Sequence, residues 1–446
     1  MEAVIARPPL PAGPFLVVGL ARSGVAAALA LRERGATVIG VDAGAVAPAT
    51  RARLVAAGVA VHERERGVGL LDGIAMLVKS PGVPREAAVV AAALERGIAV
   101  AGELEVGWRL LGNDVVAVTG SNGKTTTVEL LGHVHRVARR TVVVAGNVGT
   151  ALTSLAGTLP GDAVVVLEAS SFQLEDTLAF APDAALLLNL TEDHLDRHRT
   201  LARYRAAKLE AFARQPAGAL AVLPAAMAAD ADVGGAAERV TFGPGGDVDE
   251  RDGALRWRGA PLIECARIRL PGAHNRENAM AAAAVALARG IEAEAVREAL
   301  ATFAGVPHRL EPIATVAGVA YVNDSKATNV ASAEVAVRSY EHGVHLICGG
   351  RGKGSDYGPL VEPVARRASG AYLIGEAGPE LAAALAPTGV PLHDCGDLER
   401  AVAAAHAAAR SGDTVLLSPA CASYDQYASY EERGEHFRAL VAALAR

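Results

Sequence analysis

The run VVAVTGSNGKTTTVELL, residues 115–131, constrains this chain more than any other stretch. Residues 115–118 are apolar and rich in β-branched valine, the pattern of a strand buried on both faces of a parallel sheet. Gly120, Ser121, Asn122 and Gly123 follow as a turn whose backbone N–H groups can converge on an anion. Lys124 adds a fixed positive charge. Thr125 adds a hydroxyl suited to Mg²⁺ at the start of a helix whose positive dipole end faces the turn. Strand, glycine loop, Gly-Lys-Thr and helix, in that order, are what a nucleoside-triphosphate site requires. The strict pattern has a glycine where this chain has Val118, so the match is to a shortened form. The alternative is an ordinary strand-to-helix turn that carries a lysine.

With 446 residues there is length for two or three domains, each with its own core. A first strand at 15–18, the loop Gly19-Leu-Ala-Arg-Ser-Gly24, a helix to Gly35 and a strand at 37–41 ending in Asp42 form a β-α-β unit. Strands are expected at 74–78, leading into Lys79-Ser-Pro-Gly82, and at 99–103, with 111–114 as a link. Beyond the phosphate loop come strands at 141–144, 163–167 and 184–188. They end in Gly146-Asn147, Glu168-Ala-Ser-Ser171 and the polar run 189–194. Ligands gather beyond the carboxyl ends of such strands, so these loops are expected to face one crevice. A turn cluster at 243–246 marks a less regular stretch of short antiparallel strands, and 275–290 reads as an alanine-rich helix. Strands at 319–322, 344–347, 371–374 and 414–417 then alternate with helical stretches and end in polar loops at 323–329, 349–353 and 418–426. The expected fold is three-domain α/β. A Rossmann-like N-terminal domain spans 1–112, a phosphate-loop ATPase-like central domain 113–304, and a Rossmann-like C-terminal domain 305–446.

Several strand-end residues carry chemistry. In the first loop, Ala21 stands where the dinucleotide fingerprint has a glycine and would hinder a pyrophosphate, while Arg22 can contact one. That favours a nucleotide other than NAD, with a structural turn as the alternative. Glu168 is suited to Mg²⁺, which takes hard oxygen ligands; it also reads as a solvated loop carboxylate. His194 reads as functional from its place at a third strand end, or as a hydrogen-bonded loop histidine. Lys208, in Tyr204-Arg-Ala-Ala-Lys208 on a helix, reads as an exposed lysine. Asp324, Ser325 and Lys326 crowd charge onto one strand end. There Lys326 would neutralise a transferring phosphoryl group or join a surface salt bridge. A net charge of −6 gives no electrostatic reason to expect nucleic acid or an anionic membrane. Cys265, Cys348, Cys395 and Cys421 are scattered, without metal spacing or a disulfide framework. No secretory signal and no membrane-length apolar run is seen, so a cytoplasmic protein is expected.

Together these strings resemble the Mur ligases of peptidoglycan synthesis over essentially the whole chain. The family marks are TGSNGKTT, Glu168 in LEASS, His194, Lys208, the His274-Asn275 and Asn278 string, His308-Arg309 and Asp324. GLARSG, KSPGVP, SSFQLE, VNDSKATN and SPACASYDQY are similar to the branch that adds D-glutamate. The resemblance implies ATP and Mg²⁺ as cofactors, with UDP-N-acetylmuramoyl-L-alanine and D-glutamate as substrates joined through an acyl phosphate. A monomer is expected, with no nucleic-acid partner and no membrane insertion.

The same resemblance implies roles for particular residues. ATP falls to Gly120, Ser121, Asn122, Gly123, Lys124, Thr125 and Thr126, with Asn275, Asn278, His308, Arg309, Asp324 and Lys326. Lys124, Glu168, His194, Lys208 and Lys326 are the implied catalytic set. Ala21, Arg22, Ser23, Asp42, Gly82, Asn147 and His194 fall to the UDP substrate. Thr328, Lys353, Ser423, Tyr424 and Tyr430 fall to D-glutamate, although relatives often carry Leu and Phe at the last two positions. Mg²⁺ is implied at Thr125, Glu168, His194 and Lys208, the lysine being carbamylated by CO₂ into an anionic oxygen ligand.

Overall fold

Three sheets organise the described residues. The computed structural model describes residues 7–147, 149–191, 193–230, 232–270, 272–352 and 356–444, excepting the side chains of 195 and 196. Two compact units divide it, Met1–Phe303 and Ala304–Arg446. The first unit holds two sheets. One is wholly parallel, in the order β3-β2-β1-β4-β5, from β1 (Phe15–Val18), β2 (Val38–Asp42), β3 (Ala60–Glu63), β4 (Met76–Lys79) and β5 (Ala99–Gly102). The sequence order reverses at β1, so the loops after β1 and β4 open onto one crevice. There Ser80 Oγ donates to Gly19 O at 2.7 Å. Position 24 has to be glycine, because a Cβ would lie 1.9 Å from Gly19 O.

The second sheet runs β14-β13-β12-β11-β10-β9-β6-β8-β7. Its strands are β6 (Val115–Thr119), β7 (Val142–Gly146), β8 (Val164–Glu168), β9 (Ala184–Leu187), β10 (Leu220–Pro224), β11 (Glu238–Phe242), β12 (Val248–Arg251), β13 (Ala254–Trp257) and β14 (Ala260–Glu264). β6 lies between β9 and β8, all three parallel, and every residue of β6 is buried. The expected antiparallel stretch is narrower than the sequence suggests. β10, β11 and β12 pair in parallel, and only β12-β13-β14 form an antiparallel meander. The second unit has one sheet, β15-β16-β20-β17-β18-β19. It comprises β15 (Glu311–Val316), β16 (Val319–Asn323), β17 (Val344–Gly349), β18 (Ala368–Ile374), β19 (Leu392–Gly396) and β20 (Thr414–Ala420). All its pairs are parallel except β15 with β16. The sequence pattern does not announce β3, β15 or β19. Each is an edge strand with polar or exposed positions, without the continuous apolar run that marks a central parallel strand.

Buried polar contacts hold the two sheets of the first unit together. Lys79 at the end of β4 pairs with Asp176 at 2.6 Å, with side chains 0% and 1% exposed. Its Nζ also donates to Val83 O at 2.8 Å. Glu103 Oε1 accepts from Thr153 N at 2.7 Å and from Thr153 Oγ1 at 2.8 Å. The Glu105 carboxylate accepts from the backbone of Leu178, Ala179 and Phe180. Removing one partner of a buried ion pair strands the other as an uncompensated charge. Lys79→Met is therefore expected to destabilise the chain by about 3–5 kcal/mol. Lys79→Met with Asp176→Leu should recover most of that loss. Urea unfolding of the two variants checks this; equal losses would show that the pair is not the cause.

Candidate active site

The phosphate loop is built as its sequence requires. Gly120 (φ +150°) and Gly123 (φ +84°) take backbone angles that favour glycine. A Cβ at Gly123 would lie 2.2 Å from Asn278 Oδ1, so the loop lies directly against the helix Ala273–Ala288. On that helix Asn278 Nδ2 donates to Asn275 Oδ1 at 3.2 Å, and both residues are buried. The loop is tied to the end of β9: Ser121 N donates to Asn189 O at 3.1 Å and Asn122 N to Asn189 Oδ1 at 2.9 Å. Ser121 Oγ donates to Thr191 O and accepts from Tyr204 OH at 3.0 Å. Lys124, first residue of the helix Lys124–Val137, donates from Nζ to Gly120 O at 2.7 Å and to Ser121 O at 2.8 Å. Thr125 and Thr126 are buried in the first turn.

Lys208 is not the exposed lysine that its helix suggests. It is 1% exposed and sits 4.5 Å from the Tyr204 ring centroid. Its Nζ donates to Gly120 O at 2.7 Å, the same oxygen that Lys124 uses. Burial, then the neighbouring Lys124 charge, push its amine down to about 6, against the pull of Asp193 and Glu168. The sequence pattern missed this because the helix has little amphipathic contrast. Tyr204, whose ring covers the amine and whose hydroxyl donates to Ser121 Oγ, is given no role there.

Glu168 ends β8 and is 2% exposed, which removes its reading as a solvated carboxylate. Its Oε1 accepts from Asn147 Nδ2 at 3.1 Å, and its buried Oε2 has no hydrogen-bond partner among the described residues. His194 is exposed in the loop after β9, with φ +52°. Its Nε2 lies 3.4 Å from Asp193 Oδ2, and its ring centroid lies 4.8 Å from that of Phe172. The loops after β6, β7, β8 and β9 thus lie around one point, as the strand ends imply. Phe172, Asp193 and Tyr204 are supporting residues that composition and spacing do not reveal.

A cavity of about 800 Å³ opens beside the loop after β1. Ala21, Arg22, Asp42, Thr50, Arg53 and Thr150 are among its lining residues; Ser23, Gly82, Asn147 and His194 are not among those described as lining it. Asp42 is held by the backbone, with Leu20 N donating to Oδ2 at 2.7 Å and Gly44 N to Oδ1 at 2.8 Å. Arg22 Nη2 donates to Asn147 O at 3.2 Å, which links this loop to the end of β7.

In the second unit, Asp324 follows β16 and is 4% exposed, making no ion pair among the described residues. Ser418 Oγ donates to its Oδ2 at 2.7 Å and Leu310 N to its Oδ1 at 3.1 Å, while burial pushes the carboxyl up to about 7. His308 (φ +61°) is buried; its O accepts from Lys326 N at 2.9 Å, and its Nδ1 lies 2.9 Å from Asn323 Nδ2. Arg309 is half-buried and its charge acts on Asp324. Thr328 is half-buried, Ser423 is buried, Tyr430 stands edge-on to His308, and Tyr424 is 65% exposed. Lys353 lies outside the described residues.

Residues 118–286 match the Mur ligase middle domain, and 308–421 match the Mur ligase, glutamate ligase domain. The UDP-N-acetylmuramoylalanine--D-glutamate ligase of Acidobacterium capsulatum is 40% identical, with 96% of each chain covered. The enzyme of the same name from Myxococcus xanthus is 41% identical, covering 96% of this chain and 98% of its own. The chain belongs to the Mur ligase family. The crystal structure of UDP-N-acetylmuramate-alanine ligase from Thermotoga maritima shares the fold, with TM-score 0.58 at 19% identity over 97% of this chain and 99% of that one. The middle-domain match takes in the phosphate loop, Glu168, Lys208, Asn275 and Asn278, and the second match begins at His308.

The Lys208 amine makes a Mur ligase of this build pH-dependent in stability. Between about 6 and the ordinary lysine value of 10.5, the unfolded chain holds a proton on Lys208 that the folded chain does not. Stability therefore rises with pH across that window, by up to about 1.4 kcal/mol per pH unit. In CO₂-free buffer, Lys208→Met should gain most in melting temperature over the natural chain near pH 6 and least toward 10.5. A difference that does not change with pH would rule out a neutral buried amine.

Proposed function

We propose that this Mur ligase joins D-glutamate to UDP-N-acetylmuramoyl-L-alanine at the expense of ATP, as a cytoplasmic step in making peptidoglycan precursors. The observation that carries this reading is the phosphate loop with two lysine amines on Gly120 O beside the buried Glu168. It supports phosphoryl transfer to an anion. The names of relatives at 40–41% identity over nearly the whole chain support the choice of substrates. By domain, we assign residues 1–112 to the UDP substrate, 113–304 to ATP and 305–446 to the amino acid.

In the reaction, the γ-phosphoryl group of ATP passes to the substrate carboxylate, giving ADP and an acyl phosphate. Phosphorylation replaces an oxide, a poor leaving group, with phosphate. The D-glutamate nitrogen attacks the carbonyl carbon and loses a proton, and phosphate departs from the tetrahedral intermediate. Residues 120–126 hold phosphate oxygens through the Lys124 ammonium and the backbone N–H groups other than those of Ser121 and Asn122, which are spent on Asn189. Ala21, Arg22, Ser23, Asp42, Gly82, Asn147 and His194 hold the UDP substrate. We assign Asn275, Asn278, His308, Arg309, Asp324 and Lys326 to ATP, and Thr328, Lys353, Ser423, Tyr424 and Tyr430 to D-glutamate. Lys326 and His194 also offset negative charge at the reacting groups.

The donor set fits Mg²⁺. Glu168 Oε2 is a buried carboxylate oxygen without a partner among the described residues, and Thr125 adds a hydroxyl. Among the described residues no three His, Cys, Asp or Glu side chains cluster as a metal cage. That suits an ion held partly by substrate phosphates. Thr125, Glu168, His194 and Lys208 as its carbamate would hold it, and it supplies charge that offsets repulsion between the two reacting anions. Carbamylation needs the neutral amine, which Lys208 provides. The amine nitrogen bonds to CO₂ and releases a proton, leaving an anionic oxygen pair.

Phosphate release with UDP-N-acetylmuramoyl-L-alanine should require D-glutamate and be weak with L-glutamate; equal rates would overturn the substrate choice. Lys208→Ala is expected to lose most turnover and to recover part of it with added small carboxylic acids. Near-normal turnover in that variant would exclude the carbamate.

A further inference from the structure

The strand ends assigned to the amino acid rest on a buried cation that the reaction above does not use. Arg433, on the helix Tyr430–Leu444, is 1% exposed. Its Nε donates to Ser325 Oγ at 3.0 Å and its Nη2 to Ser325 O at 2.9 Å. Both Nη1 and Nη2 donate to Cys421 O at 3.3 Å. Gly350 lies against the same group, since a Cβ there would sit 3.2 Å from Nη1. One guanidinium thus touches the loops after β16, β20 and β17, and these three strands are adjacent in the sheet.

Every acceptor of Arg433 is neutral. Among the described residues it has no ion-pair partner. Asp425 is the foremost negative charge acting on it, without an ion pair, and one oxygen of that carboxylate accepts from Glu376 N at 3.0 Å. Burial lowers the guanidinium to about 10, so it stays charged at neutral pH. Buried charges are ordinarily paired, because desolvation is costly and a nearby counter-charge offsets it. An unpaired one leaves positive potential in a low-dielectric region, where it acts over a longer range than in water.

We propose that Arg433 is a positioning residue for the amino-acid substrate: it clamps two strand-end loops together against a third and holds beneath them a positive charge with no ion-pair partner among the described residues, which favours an amino acid with a second carboxylate. The proposal rests on the assignment of these loops to D-glutamate. The clamp accounts for the fork geometry, since a planar guanidinium can bridge two loops through several fixed N–H groups and an ammonium cannot. The charge accounts for the absence of an acidic partner.

The test is steady-state kinetics of the full-length chain, R433K and R433M, with D-glutamate and its uncharged analogue D-glutamine, after thermal melts establish folding. R433M should raise KM for D-glutamate by about tenfold or more, keep KM for the UDP substrate within about twofold, and narrow the glutamate-over-glutamine preference. R433K, which keeps the charge, should retain most of that preference. An unchanged preference in R433M would overturn the proposal and leave Arg433 a purely structural clamp. Where R433M does not fold, S325A and R433K carry the test. Both keep the charge, so both should raise KM for D-glutamate with the preference intact, and a collapsed preference in either would overturn the role of charge. A natural chain that releases no phosphate with D-glutamate would instead overturn the substrate assignment itself.

Discussion

Two lysine amines share one carbonyl oxygen, Gly120 O, and much of the first unit's chemistry follows from that. Two ammonium groups about 4 Å apart would repel by about 4 kcal/mol at an effective dielectric constant near 20. Lys124 stands half-buried at the more open mouth of the loop. Lys208 is sealed behind Tyr204 and is the one that gives its proton up. Tyr204 also donates to Ser121 Oγ, so the group that desolvates the amine also fixes the loop bearing the shared oxygen. Gly120 permits this, since a Cβ would lie 2.9 Å from that of Leu188. Loop, helix and strand end are thus interlocked through a single acceptor.

The two units bury charge in opposite ways. In the first, Lys79 and Asp176 cancel one another, and the pair contributes position without net field. In the second, Arg433 hydrogen-bonds only to neutral oxygens and has no ion-pair partner among the described residues, with Asp425 acting on it at a distance. Asp324 is a third case. Its carboxyl is buried among a hydroxyl and an amide and is raised to about 7, so it can change charge near neutrality with small changes in its surroundings. Burial alone does not say what a charged residue does; the charge state of its neighbours does.

Most central parallel strands were legible in the sequence because a strand covered on both faces must be apolar throughout, although β10 was not picked out despite its apolar run. β1, β6, β8 and β9 therefore appear within a residue or two of their expected bounds. β3, β15 and β19 lack that constraint at the sheet edges and left no such trace. Glycines were equally legible, since a loop needs them where it meets a backbone oxygen closely, as at 24, or a side chain at a positive φ, as at 123. The placement of Lys208 was not. Nothing in Tyr-Arg-Ala-Ala-Lys says that its helix packs against the phosphate loop, and only the family resemblance singled it out. Arg433 is hidden for the same reason, because its partners are backbone oxygens distant in sequence and carry no residue signature.

The contacts of Lys79, Glu103 and Glu105 have a consequence for what the first unit can measure. They make the cavity beside β1 and the phosphate loop parts of one solid frame, like the fixed jaws of a calliper. A molecule anchored in the cavity brings its far end to the phosphate loop only if the intervening chain has the right reach. Changes that keep that reach are tolerated within the roominess of the cavity. A linker one bond too short or too long presents its terminal group off target, and no adjustment within the frame can make up the difference. Length, as much as chemical identity, then becomes a quantity that this half of the protein reads.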